Sequence, residues 1–298
     1  MKIGIIGAGA FGSALAVAYG QKGLEVMLWA RRKPFVRAYP AGVRHVDDLM
    51  ELTGVEAILL VVPAQQTAGF LAQNPLPEAP LVLCAKGIDA GSGQLQSQIA
   101  ARYCDMPISV LTGPGFAGEI AAGLPTALTL AGGNAAQQVL LSTPRLRLYR
   151  TDDMIGAQAG GALKNVIALA CGMAIGAGLG ESARAALLTR GFAEMQRLGV
   201  ALGGKAETFQ GLSGLGDLAL TCASAQSRNF AQGLAFGQGK GQSEGTVEGL
   251  KTAEAAAALA AKLGVEAPIT GIVAEVVAGR ATVASAMEML LARPLKEE

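Results

Sequence analysis

The chain has 298 residues, enough for two domains of ordinary size, each able to bury its own core. Its formal net charge is +1 and only 16% of its residues are charged, which excludes the basic field that nucleic acid or an anionic membrane surface would require. The four cysteines, Cys84, Cys104, Cys171 and Cys222, show no C-x-x-C spacing; they read as buried thiols of a reducing compartment, with neither a disulfide framework nor a metal site expected.

Residues 2–6 alternate in a β-rich pattern, Gly7-Ala8-Gly9-Ala10-Phe11-Gly12 follows, and 11–20 suits a helix. A G-x-G-x-x-G turn between a first strand and a helix is a dinucleotide fingerprint. Gly7 allows the tight turn, Gly9 lets the backbone approach a pyrophosphate, and Gly12 lets the helix pack on the strand with its N-terminus facing the anion. A second strand, 24–29, comes at βαβ distance. The chain enters its first strand at once with no charged leader, so no signal peptide is expected and cytoplasmic localisation is.

The end of the second strand reports on the cofactor. An acid there binds the ribose hydroxyls of NAD, whereas cations suit the 2′-phosphate of NADP. Here Ala30-Arg31-Arg32-Lys33 offers cations and no acid, so Arg31 and Arg32 predict NADPH preferred, with NADH possible; a solvated basic loop is the plainer reading of the same residues. The only histidine, His45, stands in a polar stretch without catalytic partners and is expected to be structural or solvent-facing.

Apolar runs at 57–62, 81–85, 108–111 and 126–131 continue the strand series and predict a mostly parallel, doubly wound sheet of the Rossmann type over residues 1–152. Ligands of such sheets collect at the carboxyl ends of strands, where Ala85-Lys86-Gly87-Ile88 and Thr112-Gly113-Pro114-Gly115-Phe116-Ala117 lie. From 153 to 298 the pattern is helical, at 155–179, 181–202, 246–263 and 269–278, with Gly203 and Gly264 placed as helix stops, Pro268 as a first-turn residue and 237–245 as a flexible loop. The span 155–179 is apolar enough to resemble a membrane helix, but Lys164 and Asn165 near its middle argue for close packing inside a protein. The apolar helical half suits a homodimer or simply its own core.

A lysine in an apolar helix needs a partner or a function, unless it snorkels to solvent. Asp217 could hold such a cation, and Ser227-Arg228-Asn229 could clasp a phosphate. Taken singly, Asp217 also suits a helix N-cap and Ser227-Arg228-Asn229 an ordinary loop.

The ordered set of motifs resembles the bacterial-type NAD(P)-dependent glycerol-3-phosphate dehydrogenases over nearly the whole chain. It comprises the glycine fingerprint, Leu28-Trp29-Ala30-Arg31, Lys86-Gly87, Thr112-Gly113-Pro114, Gly161-Ala162-Leu163-Lys164-Asn165-Val166, Gly214-Leu215-Gly216-Asp217, Ser227-Arg228-Asn229 and Val247-Glu248-Gly249. The resemblance implies interconversion of dihydroxyacetone phosphate and sn-glycerol 3-phosphate, supplying glycerophospholipid synthesis, with an all-helical C-terminal domain carrying the substrate site. It implies Lys164 as proton donor or acceptor, with Lys86 and Asp217 as its catalytic companions. The substrate set becomes Lys86, Gly113, Gly115, Asn165, Asp217, Ser227, Arg228 and Asn229. The cofactor set becomes Gly7, Gly9, Ala10, Phe11, Gly12, Arg31, Arg32, Lys86, Ala117, Arg228 and Glu248.

The chain departs from the family pattern twice. It is short between Arg31 and Ala57 and lacks an Asn-x-x-Tyr-Leu segment, and Gly115 stands where the family has serine, removing a hydroxyl expected near substrate. Two other readings share the glycine turn: a related two-domain NADPH reductase of a 2-keto or 3-hydroxy acid, and a non-catalytic NADPH sensor. The second has no use for Lys164, Asp217 and the Ser-Arg-Asn group together.

Overall fold

The strands of the computed structural model, which describes residues 1–31, 38–243 and 245–294, are β1 (Lys2–Ile6), β2 (Glu25–Trp29), β3 (Val43–Val46), β4 (Ile58–Leu60), β5 (Leu81–Leu83), β6 (Ile108–Thr112), β7 (Thr126–Ala131) and β8 (Leu146–Thr151). They form one sheet in the order β3-β2-β1-β4-β5-β6-β7-β8. All neighbours are parallel except β6 and β7, which run antiparallel. Alternation along each strand sends side chains to opposite faces, and both faces are buried. Ile3, Ile5, Val26, Leu28, Leu59 and Val82 lie on one side, Ile6, Met27, Ile58, Leu60, Leu81 and Leu83 on the other. Helices α1 (Ala10–Gln21), α2 (Thr67–Gln73), α3 (Gln96–Ala100), α4 (Ala117–Ala121) and α5 (Ala135–Leu141) connect the strands. Leu15 and Tyr19 of α1 cover the first face, Phe70 and Leu71 of α2 the second.

The expected strands are all present, some of them shorter: 57–62 narrows to β4 and 81–85 to β5. Two further strands, β3 and β8, lie outside the expected series. β3 is an edge strand with Arg44 and His45 exposed, so it carries no apolar signature, and His45 meets the ring of Tyr39 edge-on at 5.6 Å. In β8 only Leu146 and Leu148 are buried. The doubly wound, mostly parallel sheet stands.

The helical half comprises α6 (Met154–Gly176), α7 (Gly180–Ala201), α8 (Ala206–Phe209), α9 (Asp217–Cys222), α10 (Arg228–Gly237), α11 (Glu248–Leu263), α12 (Pro268–Val277) and α13 (Val283–Leu291). It is built around α6, which is long and apolar enough to cross a membrane by composition but has 89% of its apolar window buried inside the protein. Its glycines explain how. A side chain at Gly172 or Gly176 would strike the backbone oxygens of Phe230 and Leu234, and one at Gly233 or Gly237 of α10 would strike those of Leu169 and Met173. These fourfold spacings place small residues on facing stripes, so the two backbones lie in direct contact. Asp153 caps α6: its carboxylate accepts from Gly156 N–H at 2.8 Å and from Lys205 N–H at 2.8 Å. A buried carboxylate from α7, Glu194, caps α12 from outside by accepting from the N–H groups of Ile269 (2.7 Å) and Thr270 (3.0 Å).

Candidate active site

The glycine turn takes the form its spacing requires. Gly7 has φ +111, and a side chain there would press on the Val61 carbonyl; one at Gly12 would overlap the Gly7 carbonyl. Gly9, the N-cap of α1, makes no side-chain cap, and a Cβ placed on it would meet nothing within 4 Å, so its backbone is open to a ligand. With α1 presenting its N-terminus there, these residues fit the pyrophosphate of a dinucleotide. Ala10 is exposed, and Phe11 and Ala117 pack on one small cluster with Ala14, Ala18 and Ile120. Arg31 is exposed and hydrogen-bonded to Gln66, whereas Arg32 lies outside the described residues.

At the carboxyl ends of β5 and β6 the sheet meets the helical half, and three ionised side chains converge. The Lys86 ammonium donates to Asp217 Oδ2 at 2.6 Å and to the Gly113 carbonyl at 2.8 Å. Lys164 Nζ lies 3.0 Å from Asp217 Oδ1 and donates to the Thr221 hydroxyl at 2.8 Å, which in turn reaches Asp217 Oδ1 at 3.2 Å. Each oxygen of Asp217 therefore serves one lysine. The side chains of Asp217 and Lys164 are 2% and 8% exposed, that of Lys86 19%, so Lys164 does not snorkel to solvent and Lys86 is the more open cation. The N-cap of α9 is Gly216; Asp217 is a first-turn residue whose carboxylate is committed to the lysines, which rules out the capping alternative.

Burial is the main influence on Lys164 and pushes its ammonium down from 10.5 to about 8; Asp217 opposes the shift and Lys86 adds to it. Burial also works against the charge on Asp217, but the two ammonium groups outweigh it and hold the carboxyl below its usual range. The arrangement is a near-neutral proton donor or acceptor beside a second cation, both held by a permanent anion.

A chain of amides fixes this centre. Asn165 donates to the Lys86 carbonyl at 3.1 Å and accepts from Asn229 at 2.8 Å, while Asn229 accepts from Gly249 N–H at 2.9 Å. Asn229 is thus largely committed to joining α6, α10 and α11. Ser227 is the N-cap of α10, its hydroxyl oxygen accepting from Phe230 N–H at 3.2 Å, and Arg228 next to it is exposed. Glu248, at the start of α11, accepts from Ala64 N–H at 3.1 Å; burial raises its pKa, against the effect of that N–H and of the Arg228 charge. Gly113 has φ +132, which favours glycine. At Gly115 a Cβ would stand 3.1 to 3.3 Å from Thr126, Ile120 and Leu128, so the place of the missing serine side chain is bordered by carbon atoms.

Thr221 belongs to none of the motifs. Its signal in the sequence is its spacing, four residues after Asp217 on the same face of a helix.

Two sequence-family models match: "NAD-dependent glycerol-3-phosphate dehydrogenase N-terminus" over residues 2–39 and 36–138, and the corresponding C-terminus over 153–288. The chain belongs to the NAD-dependent glycerol-3-phosphate dehydrogenase family. It is 52% identical to glycerol-3-phosphate dehydrogenase [NAD(P)+] of Paracoccus denitrificans, covering 100% of both chains, and 51% identical to that of Cereibacter sphaeroides, covering 99% of this chain and 100% of the other. The crystal structure of the Coxiella burnetii glycerol-3-phosphate dehydrogenase superposes with a TM-score of 0.91 at 36% identity, covering 98% of this chain and 99% of that one. The chain is an NAD(P)-dependent oxidoreductase whose substrate is a small phosphorylated molecule.

Proposed function

We propose that the chain reversibly reduces dihydroxyacetone phosphate to sn-glycerol 3-phosphate in the cytoplasm, taking NADPH in preference to NADH and supplying glycerophospholipid synthesis. The observation that carries the reading is the Asp217 carboxylate between Lys86 and Lys164 at the carboxyl edge of a dinucleotide-binding sheet. Residues 1–152 hold the dinucleotide through Gly7, Gly9 and Gly12, and 153–298 supply the proton and the phosphate grip. The nicotinamide supplies or accepts the hydride.

During reduction, negative charge develops on the carbonyl oxygen, and Lys164 delivers a proton to it while Lys86 adds a second positive charge. Asp217 and Thr221 hold the Lys164 ammonium in one direction, and the Asn165 contact fixes the backbone that carries Lys86. The exposed Arg228 guanidinium, with the hydroxyl of Ser227 beside it, would grip the substrate phosphate, a task to which Arg is suited by its forked donors. In the oxidative direction the Lys164 amine takes the proton back.

A 2-keto acid reductase would need its cations arranged for a carboxylate. Steady-state rates with dihydroxyacetone phosphate against a panel of 2-keto acids separate the two; turnover confined to the keto acids contradicts the proposal. With dihydroxyacetone phosphate, the Michaelis constant for NADPH is expected to lie below that for NADH. Arg31→Ala should raise the NADPH value by about tenfold, the worth of one charge-assisted hydrogen bond, and leave kcat unchanged. A clear NADH preference in the native chain would overturn the cofactor assignment and leave the reaction class standing.

A further inference from the structure

Away from the reaction centre, a single hydrogen bond joins the two segments that flank the glycine turn. Arg31 follows β2 and Gln66 ends the short helical turn Ala64–Gln66 behind β4. Strand β1 lies between β2 and β4, and all three run parallel, so the bond from Arg31 Nη2 to Gln66 Oε1, 2.7 Å long, spans the carboxyl end of β1 where Gly7 turns the chain into α1. An independent contact ties the same two segments together. The rings of Trp29, the last residue of β2, and Phe70 of α2 lie 5.7 Å apart at 53°, and the Trp29 indole N–H donates to the Asp47 carbonyl at 3.1 Å.

In a doubly wound sheet the adenosine ribose of a dinucleotide lies toward the end of the second strand. A guanidinium left free there would sweep through many rotamers, and holding it in place lowers the entropy lost when an anion binds. Gln66 provides that hold without adding a charge. Its carbonyl oxygen accepts from Arg31 and its amide N–H groups remain as donors, so the pair offers a phosphate a positive charge and further hydrogen-bond donors.

We propose that Gln66 is a cofactor-specificity residue, holding Arg31 in place and reading with it the 2′-phosphate of the adenosine ribose. The inference rests on the proposed NADPH preference and deepens it. A glutamate at this position would still accept from Arg31 but would oppose a phosphate, which makes the electrostatic part of the idea testable apart from the packing part.

The test measures binding of adenosine 2′,5′-bisphosphate and of 5′-AMP to the full chain by titration calorimetry, with quenching of Trp29, the single tryptophan, as a second readout. The native chain should favour the bisphosphate. Gln66→Ala should weaken bisphosphate binding by about fivefold, the worth of one hydrogen bond, and leave 5′-AMP binding unchanged. Gln66→Glu should weaken it by about tenfold or more through like-charge repulsion, again sparing 5′-AMP. In turnover both variants should show a raised NADPH Michaelis constant at unchanged kcat. If the native chain favours the bisphosphate but both variants retain that preference, the role of Gln66 is overturned while the NADPH reading survives. If the native chain does not distinguish the two nucleotides, the NADPH reading itself fails. A variant that loses both nucleotides equally shows a merely structural role and also overturns the proposal.

Discussion

Replacing Lys164 with alanine is expected to lower kcat for dihydroxyacetone phosphate reduction by about 10³-fold, within the range that a positioned acid or base contributes. Two observations set the size of the effect. Lys164 is buried and aimed by Asp217 and Thr221, so its ammonium is held in one direction, an arrangement that alanine cannot reproduce. Lys86, the other cation, is engaged by Asp217 and the Gly113 carbonyl and retains those partners in the variant. The fold should survive, because Asp217 keeps one ammonium partner. Cofactor affinity should be unchanged, since the glycine turn is untouched, and this separates a chemical loss from a general one. A kcat within tenfold of the native value, measured at saturating substrate, would contradict the assignment.

Asp217→Asn is expected to damage activity and stability together. The carboxylate is buried between two cations, 2.6 and 3.0 Å away, and a neutral amide leaves both facing each other without an anion. Removing one member of a buried ionic group costs about 3–5 kcal/mol, since the uncompensated charge remains. The loss here is partly relieved by deprotonation of Lys164, which already sits near 8 and loses the one group that raises it most. That same relief removes the proton needed for reduction, and kcat should fall by about 10²-fold or more. The pH dependence has a definite sign. The folded pKa of Asp217 lies below its ordinary value, so its contribution is complete above the unfolded carboxylate range and is lost as the pH falls through the lower, folded value. Denaturation curves at neutral pH should therefore show the full gap between native and variant chains, and curves in acid a smaller one. An equal gap at both pH values would mean that the charge on Asp217 does not matter.

The local parts of this arrangement are legible in the sequence. The β1–turn–α1 unit follows from the glycine spacing, in which Gly7 and Gly12 are required sterically and Gly9 leaves open space, and α11 stops at Gly264 with φ +67 as its position implies. Pro268 opens α12 in the first helical turn. What the sequence leaves open is whatever depends on distant segments meeting. Asp217 is 131 residues from Lys86 and 53 from Lys164, so their shared carboxylate becomes visible only when α9 docks beside α6. Asn165 joins the substrate ligands through the family resemblance and Asn229 through its place in Ser227-Arg228-Asn229; folding commits most of their hydrogen bonds to each other and to the backbone. Ser227 reads as a phosphate ligand, and its hydroxyl also serves as a helix cap, a role that any Ser before a helix can fill. Gln66 gives no signal, since a glutamine in a polar turn acquires meaning only from the arginine across β1.

The central claim, that Lys164 exchanges the proton with the substrate oxygen, is tested most directly by the pH dependence of kcat in both directions. With its ammonium lowered to about 8, dihydroxyacetone phosphate reduction should fall as the pH rises through that value, while glycerol 3-phosphate oxidation should rise through the same value. Profiles that are flat across this range, or that bend with the same sign in both directions, would contradict it.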